Sequence, residues 1–277
     1  MTFSPQCHYI CTESLHIYRE IFNTEFNLEF HLPKKDRCDY CEEYRVNVKP
    51  SEDDAAKYNG HERAKSEAKS ERDIDRQRHT GSKSHAVVCF VLENVIGLPR
   101  ANIKNFYFRQ KLSVYNLTAH CSVDGHAYCA VWCEGVRGQG GNDIASALVA
   151  ILEKIIVQNP DIVKITLWSD ACVPQNKNSV MSFALLTFLS SHANIQEIVQ
   201  KFGTPGHSPE QEVDNIHSQI EWRMRKTEIH SPLSLLRMLK QVNIRRPFVV
   251  IQMLQGMFFD FHSKAKQLVG FQCSAIY

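Results

Sequence analysis

The chain has 277 residues, 43% of them hydrophobic and 22% charged, with a formal net charge of +2. That apolar content suffices for the core of one large or two modest domains, and the near-neutral balance points neither toward nor away from nucleic acid. No apolar run is long enough for a bilayer span, and residues 1–7 lack the basic stretch and apolar core of a secretory signal, so the ten cysteines read as reduced thiols or metal ligands of an intracellular protein.

Residues 13–22 have the pattern of a helix, followed by residues 26–32 and the run Pro33-Lys34-Lys35-Asp36. Cys38 and Cys41 then form a C-x-x-C pair, half of a tetrahedral, structural zinc site. Their partners are open among Cys7, His8, Cys11, His31 and His61. A redox role for the pair wants a βαβ setting that this stretch lacks. Residues 51–83 are rich in Ser, Glu, Asp, Lys and Arg and poor in large apolar side chains. That composition predicts a solvated, charged helical linker between an N-terminal, mostly helical region over 1–50 and a domain over 84–277.

From residue 86 the texture becomes α/β. Strands are predicted at 86–92, 105–117 and 127–133. Gly138-Gln139-Gly140-Gly141 breaks the chain, and Asn142 is read as the cap of a helix reaching about residue 157. The β-branched run Ile162-Val163-Lys164-Ile165-Thr166-Leu167-Trp168 reads as a central strand. It ends on Ser169-Asp170, where open α/β sheets place their ligand chemistry. A helix over 178–191, a strand over 195–202 and helices over 209–225 and 233–241 follow, then a strand over 247–253. Cys89, Cys129 and Cys133 fall inside apolar strands as small buried residues.

The order β-β-β-α-β-α-β-α predicts a mixed sheet, an antiparallel meander joined by crossover units and flanked by helices. It is the order of the ribonuclease H-like fold. In that fold acids at the ends of the first and fourth strands and in the last helix hold Mg²⁺ or Mn²⁺ for phosphoryl transfer. Asp170 takes the second position. Asp214 or Glu221 takes the third, two helical turns apart with His217 between them on one stripe. The plainer readings are a turn-capping Asp170 and a solvated helix face for Glu221.

Residues 106–116, the run Trp168-Ser169-Asp170-Ala171-Cys172-Val173-Pro174-Gln175-Asn176-Lys177-Asn178 and Pro205-Gly206-His207-Ser208 carry a closer likeness. Together with residues 33–36, Cys38 and Cys41, they resemble a family of uncharacterised, transposon-derived proteins of animal genomes. The resemblance implies DNA as partner, ancestral metal-dependent DNA strand cleavage and transfer, and a nuclear location. Arg109, Lys111 and Lys177 would lie beside the DNA backbone, and His207 would orient a phosphate or move a proton. One departure matters. Where that family has Cys-Phe-Asp-Leu, this chain reads Cys89-Phe90-Val91-Leu92, and valine ligates no metal. Glu93 shares the face of Val91 but lies about 6–7 Å further along the strand. The expectation is a DNA-binding protein with impaired cleavage and no membrane partner, for which a homo-oligomer is compatible. An active nuclease and a protein-interaction module are the alternatives.

Overall fold

The computed structural model describes residues 38–78, 81–101, 103, 110–207 and 212–267, with Ile17, Glu20, Ile21, Thr24 and Glu25 as helical residues ahead of them. The chain divides into two units, residues 1–37 and 38–277, and the elements below belong to the second. In chain order these are helices α1 (Asp39–Val46) and α2 (Glu52–Arg78), then strands β1 (His85–Leu92), β2 (Ile96–Leu98), β3 (Leu112–Cys121) and β4 (Ala127–Cys133). Helix α3 (Gly141–Gln158), β5 (Lys164–Ser169), α4 (Ser179–Ser191), β6 (Glu197–Phe202) and α5 (Glu212–Arg225) follow. Helix α6 (Pro232–Leu239), β7 (Val249–Gln252), a 3₁₀ turn and α7 (Phe261–Gln267) complete the order.

The seven strands make one mixed sheet in the order β6-β5-β1-β3-β4-β7, with β2 paired to β3 off that path. Strand β1 is antiparallel to β3 and parallel to β5, β3 is antiparallel to β4, and β5 is parallel to β6. This is the meander-plus-crossover arrangement expected of a ribonuclease H-like sheet, extended at one edge by β7 parallel to β4. Among the described residues no helix is long and apolar enough to cross a membrane.

Side-chain alternation gives the sheet two apolar faces. On one, Val88, Phe90, Leu117, Tyr128 and Leu167 pack against Ile144, Leu148 and Ile151 of α3 and Met181 and Phe188 of α4. On the other, Val114, Cys129 and Val131 meet Ile216 and Ile220 of α5 and Leu235 and Leu239 of α6. Each fully buried Leu, Ile or Phe contributes roughly 1.5–3 kcal/mol. Helix α3 starts two residues earlier than predicted: Gly140 is its N-cap, and the Asp143 carboxylate accepts from the Gly140 N–H at 3.1 Å. Strand β3 lies later than the predicted 105–117, because Leu117–Cys121 form the antiparallel ladder with β1; residues 104–109 lie outside the described residues.

Helix α2 departs most from its sequence reading. Its start is capped as charged helices are: the Ser51 hydroxyl donates to Asp54 Oδ2 at 2.8 Å and accepts from the Asp54 N–H. Its last turns are not a solvated spacer. Arg72 and Asp75 are 2% and 5% exposed. Arg72 Nη2 and Arg76 Nε donate to the two oxygens of Glu212 at 2.5 and 2.7 Å, while Asp75 Oδ2 accepts from Trp168 Nε1 and Lys201 Nζ, both at 2.9 Å. Positions 72, 75 and 76 share one helical stripe, so the packing face is built of charges whose partners sit on β5, β6 and α5. Composition alone conceals such a face, and the compact unit therefore begins at Cys38 rather than at residue 84.

Truncating a buried ion-pair partner strands the other charge. Arg72→Ala should lower unfolding free energy in urea by roughly 2–4 kcal/mol, whereas Lys57→Ala, which removes an exposed pair with Asp53, should stay within about 0.5 kcal/mol.

Candidate functional site

Four side chains from three parts of the chain converge at one end of the sheet. Cys38 is the N-cap residue of α1 and Cys41 lies in its first turn. Helix α1 is held to α2 by stacking of Tyr44 on Tyr58, centroids 4.2 Å apart and nearly coplanar, which brings His61 of α2 alongside. His207 sits on the turn after β6, closed by its bridge to Thr204. The ligand atoms of Cys38, Cys41, His61 and His207 all lie within 4.8 Å of one another. Cys38 Sγ is 3.5 Å from His61 Nε2 and Cys41 Sγ is 3.2 Å from His207 Nε2. The sulfur–nitrogen edge of a tetrahedral zinc site, from bond lengths of about 2.3 and 2.0 Å, is about 3.5 Å. The donor set and its spacing fit a metal ion such as zinc.

Gly206 makes the closure sterically possible. Its φ of +77° suits glycine, and a Cβ there would stand 2.5 Å from Cys38 Sγ. Burial first, then Cys38 and Glu62, push the Cys41 thiol up to about 11, so without a cation Cys41 keeps its proton. Burial and the nearby Lys65 and His61 lower the pKa of His207, which keeps its imidazole neutral as a ligand requires.

The structure thus brings the C-x-x-C pair together with one predicted partner, His61, and with His207, which the sequence had suggested as a phosphate or proton contact. Cys7, His8, Cys11 and His31 lie outside the described residues. His207 stands 166 positions from Cys41, and no local spacing announces it.

The acids are arranged differently. Asp170 follows β5, and its Oδ1 accepts from the Cys172 N–H at 3.2 Å and from the buried Asn176 side chain at 2.5 Å. Those bonds order the loop. The parallel register of β1 and β5 runs to Cys89 opposite Trp168, and Val91 and Asp170 each lie two residues beyond that last pair. Val91 packs with Val87, Cys89, Trp168 and Val213, which brings the start of α5 over the same patch. Glu93 offers no substitute carboxylate beside Asp170: its Oε2 accepts from Asn116 Nδ2 of β3 at 2.7 Å, and β3 flanks β1 on the side away from β5.

On α5, Asp214 is exposed and Glu221 pairs with Arg100 at 3.6 Å. Glu93 is pushed up to about 7, chiefly by burial and in part by Glu221, against the hydrogen bond from Asn116 and the charge of Arg100. Burial holds the His217 imidazole down to about 4, and its Nε2 has no hydrogen-bond partner. Among the described residues, none of Asp170, Asp214 and Glu221 belongs to a set of three close Cys, His, Asp or Glu donors. With Asp170 held by Asn176, Glu221 by Arg100, and valine at the first-strand position, these residues do not fit a Mg²⁺ or Mn²⁺ centre.

Of the basic residues, the Lys177 ammonium lies 5.5 Å from the Phe202 ring centroid, the stem of Lys111 runs along Gly97, and Arg109 lies outside the described residues. Sequence reasoning missed Glu212, the acid at the start of α5 that α2 clamps; the two arginines Arg72 and Arg76, one helical turn apart, were its only signal.

Residues 118–269 match the model of a domain of unknown function, DUF7869, and with more than half of its length matched the chain belongs to that family. No curated protein matches it. The match takes in β4 through α7, with Asp170 and His207, and begins beyond β1 and the C-x-x-C pair.

The buried acid and base predict opposite pH responses. The Glu93 pKa is raised, so its contribution is present below about 4.5 and is lost as pH rises through about 7. The His217 pKa is lowered, so stability is lost as pH falls from 6.5 toward about 4. Glu93→Gln should therefore raise thermal or urea stability at pH 8 by up to roughly 3 kcal/mol, with little effect at pH 4.5. In that variant, stability should climb between pH 4 and 6.5.

Proposed function

We propose that this DUF7869-family chain is a transposon-derived, ribonuclease H-like DNA-binding protein, closed by structural zinc, whose ancestral metal-dependent cleavage is impaired. The observation that carries the reading is Val91 near the end of β1, which, like Asp170 after β5, lies two residues beyond the last pair of the parallel register, Cys89 opposite Trp168. A ribonuclease H-like sheet needs a carboxylate there to share a divalent cation with the neighbouring strand end. The motif likeness of residues 106–116, 168–178 and 205–208 supports the transposon origin and, with it, a nuclear location.

Zinc is favoured over other metals by the donors. Two sulfurs and two imidazoles in a closed tetrahedron suit a structural Zn²⁺, with all four positions taken by protein and none left for substrate. When bound, the ion would hold the two thiolates and two neutral imidazoles and link α1, α2 and the turn before α5. Lys177, beside the Asp170 loop, and Lys111 supply sequence-independent attraction to phosphate.

Metal analysis of the purified protein should find roughly one zinc per chain. A Cys38→Ser, Cys41→Ser double variant should lose the metal and much of the stability coupled to it; equal zinc content in the two proteins would remove the assignment.

DNA affinity should fall steeply as salt rises. Wild type should fail to nick DNA with Mg²⁺ or Mn²⁺, and Val91→Asp should restore some nicking that Asp170→Asn abolishes. Robust nicking by the wild type, lost in Asp170→Asn, would mark an intact enzyme and overturn the reading of impaired cleavage.

A further inference from the structure

Helix α5 presents an aromatic surface that neither the zinc cluster nor the Asp170 loop uses. Of the three tryptophans, Trp132 and Trp168 are buried, while Trp222 is 56% exposed. With Ser218, Gln219 and Val242 it lines an open cleft of about 290 Å³. Lys226 Nζ lies 3.7 Å from the Trp222 ring centroid. The far wall is the loop after α6, tied to α5 by Asn243 Nδ2 donating to Gln219 Oε1 at 3.4 Å. Asn243 Oδ1 accepts from the backbone N–H groups of Arg245 and Arg246 at 3.1 and 3.0 Å, which orders the loop that carries these two exposed cations; the Arg246 guanidinium lies over Gly125 of the β3–β4 turn.

Charge decides the kind of occupant. Residues 222–246 contain seven Lys or Arg against one acid, Glu228, whose carboxylate lies 3.6 Å from His230. An apolar protein partner would leave those cations buried without counter-charge, whereas a nucleic-acid strand brings one phosphate per nucleotide along with flat π-faces. Exposed aromatics interleaved with cations are the pattern that binds unpaired strands. The polar groups of the cleft are already engaged, Ser218 with the Asp214 carbonyl and the Gln219 amide with Asn215 and Asn243, so it suits stacking without sequence preference.

We infer that Trp222 is a stacking shelf for an unpaired base of single-stranded DNA, with Lys226 and Arg245 holding the adjoining phosphates. The inference rests on the DNA-binding reading above and adds the strand form and the place. The Lys226 ammonium covers one face of the indole; a base takes that place or the opposite face, and the displaced ammonium pairs with phosphate. Because Trp222 is largely in water, its replacement leaves the core untouched.

The test uses the full chain with an oligothymidylate of about 20 nucleotides, an abasic deoxyribose-phosphate strand of equal length, and a duplex. Oligothymidylate should quench the exposed tryptophan's fluorescence. Trp222→Ala should bind it roughly 5- to 100-fold more weakly, while Trp222→Phe keeps most of the affinity. The abasic strand, which offers phosphates without bases, should bind wild type and Trp222→Ala alike. Unchanged oligothymidylate affinity in Trp222→Ala, with the duplex still bound by wild type, would overturn the shelf and leave the DNA reading standing. Wild type that binds none of the three would remove both.

Discussion

Strand β1 pairs antiparallel with β3 on one side and parallel with β5 on the other, and this double pairing sets the positions of everything of chemical interest. The parallel side places Val91, like Asp170, two residues beyond its last pair. The antiparallel side draws Glu93 to Asn116, since the Glu93 N–H donates to the Asn116 carbonyl at 2.9 Å and the side chains then meet on one face. A carboxylate two residues along the strand thus serves a different neighbour. Alternation alone makes 91 and 93 equivalent; the partner strands make them opposite.

Much of the sheet was legible because its apolar strands and crossover helices obey simple periods. The run over 162–168, the buried stripe Ile144, Leu148, Ile151 and Ile155 and the helix ending at Arg225 all carry their pattern within a dozen residues. Strand β2, with three residues, is too short to show a period, and β3 is set by its ladder to β1 rather than by its own composition. The candidate site was legible by halves. Cys38 and Cys41 declare themselves by spacing, whereas His61 and His207 are joined to them only through the packing of α1 on α2 and the turn after β6.

The charged helix α2 bears on how sequences of this kind are read. Arg72, Asp75 and Arg76 look like solvated residues, yet they occupy the positions that leucines hold in an ordinary amphipathic helix. The cations of Arg72 and Lys201 lie 5.8 and 5.6 Å from the Trp168 ring centroid, so charge joins the hydrocarbon of Val87 and Val213 in covering the tryptophan. Such a contact gives less transfer energy than an apolar one but specifies a single register, because a slip along the helix strands Glu212 and Asp75 without partners.

The approach of Gly206 to Cys38 has a consequence for the order in which the molecule can be built. Three of the four donors lie within residues 38–61, but the fourth arrives only after β5 and β6 have joined the sheet and turned the chain back. The entropy of closing so long a loop grows only logarithmically with its length, so the assembled sheet readily supplies it. A nascent chain that has emerged no further than α4 presents two cysteine sulfurs and one imidazole, an incomplete and exchangeable chelate. The fourth donor then acts as a latch that engages last, and a complete donor set records that β6 has joined the sheet.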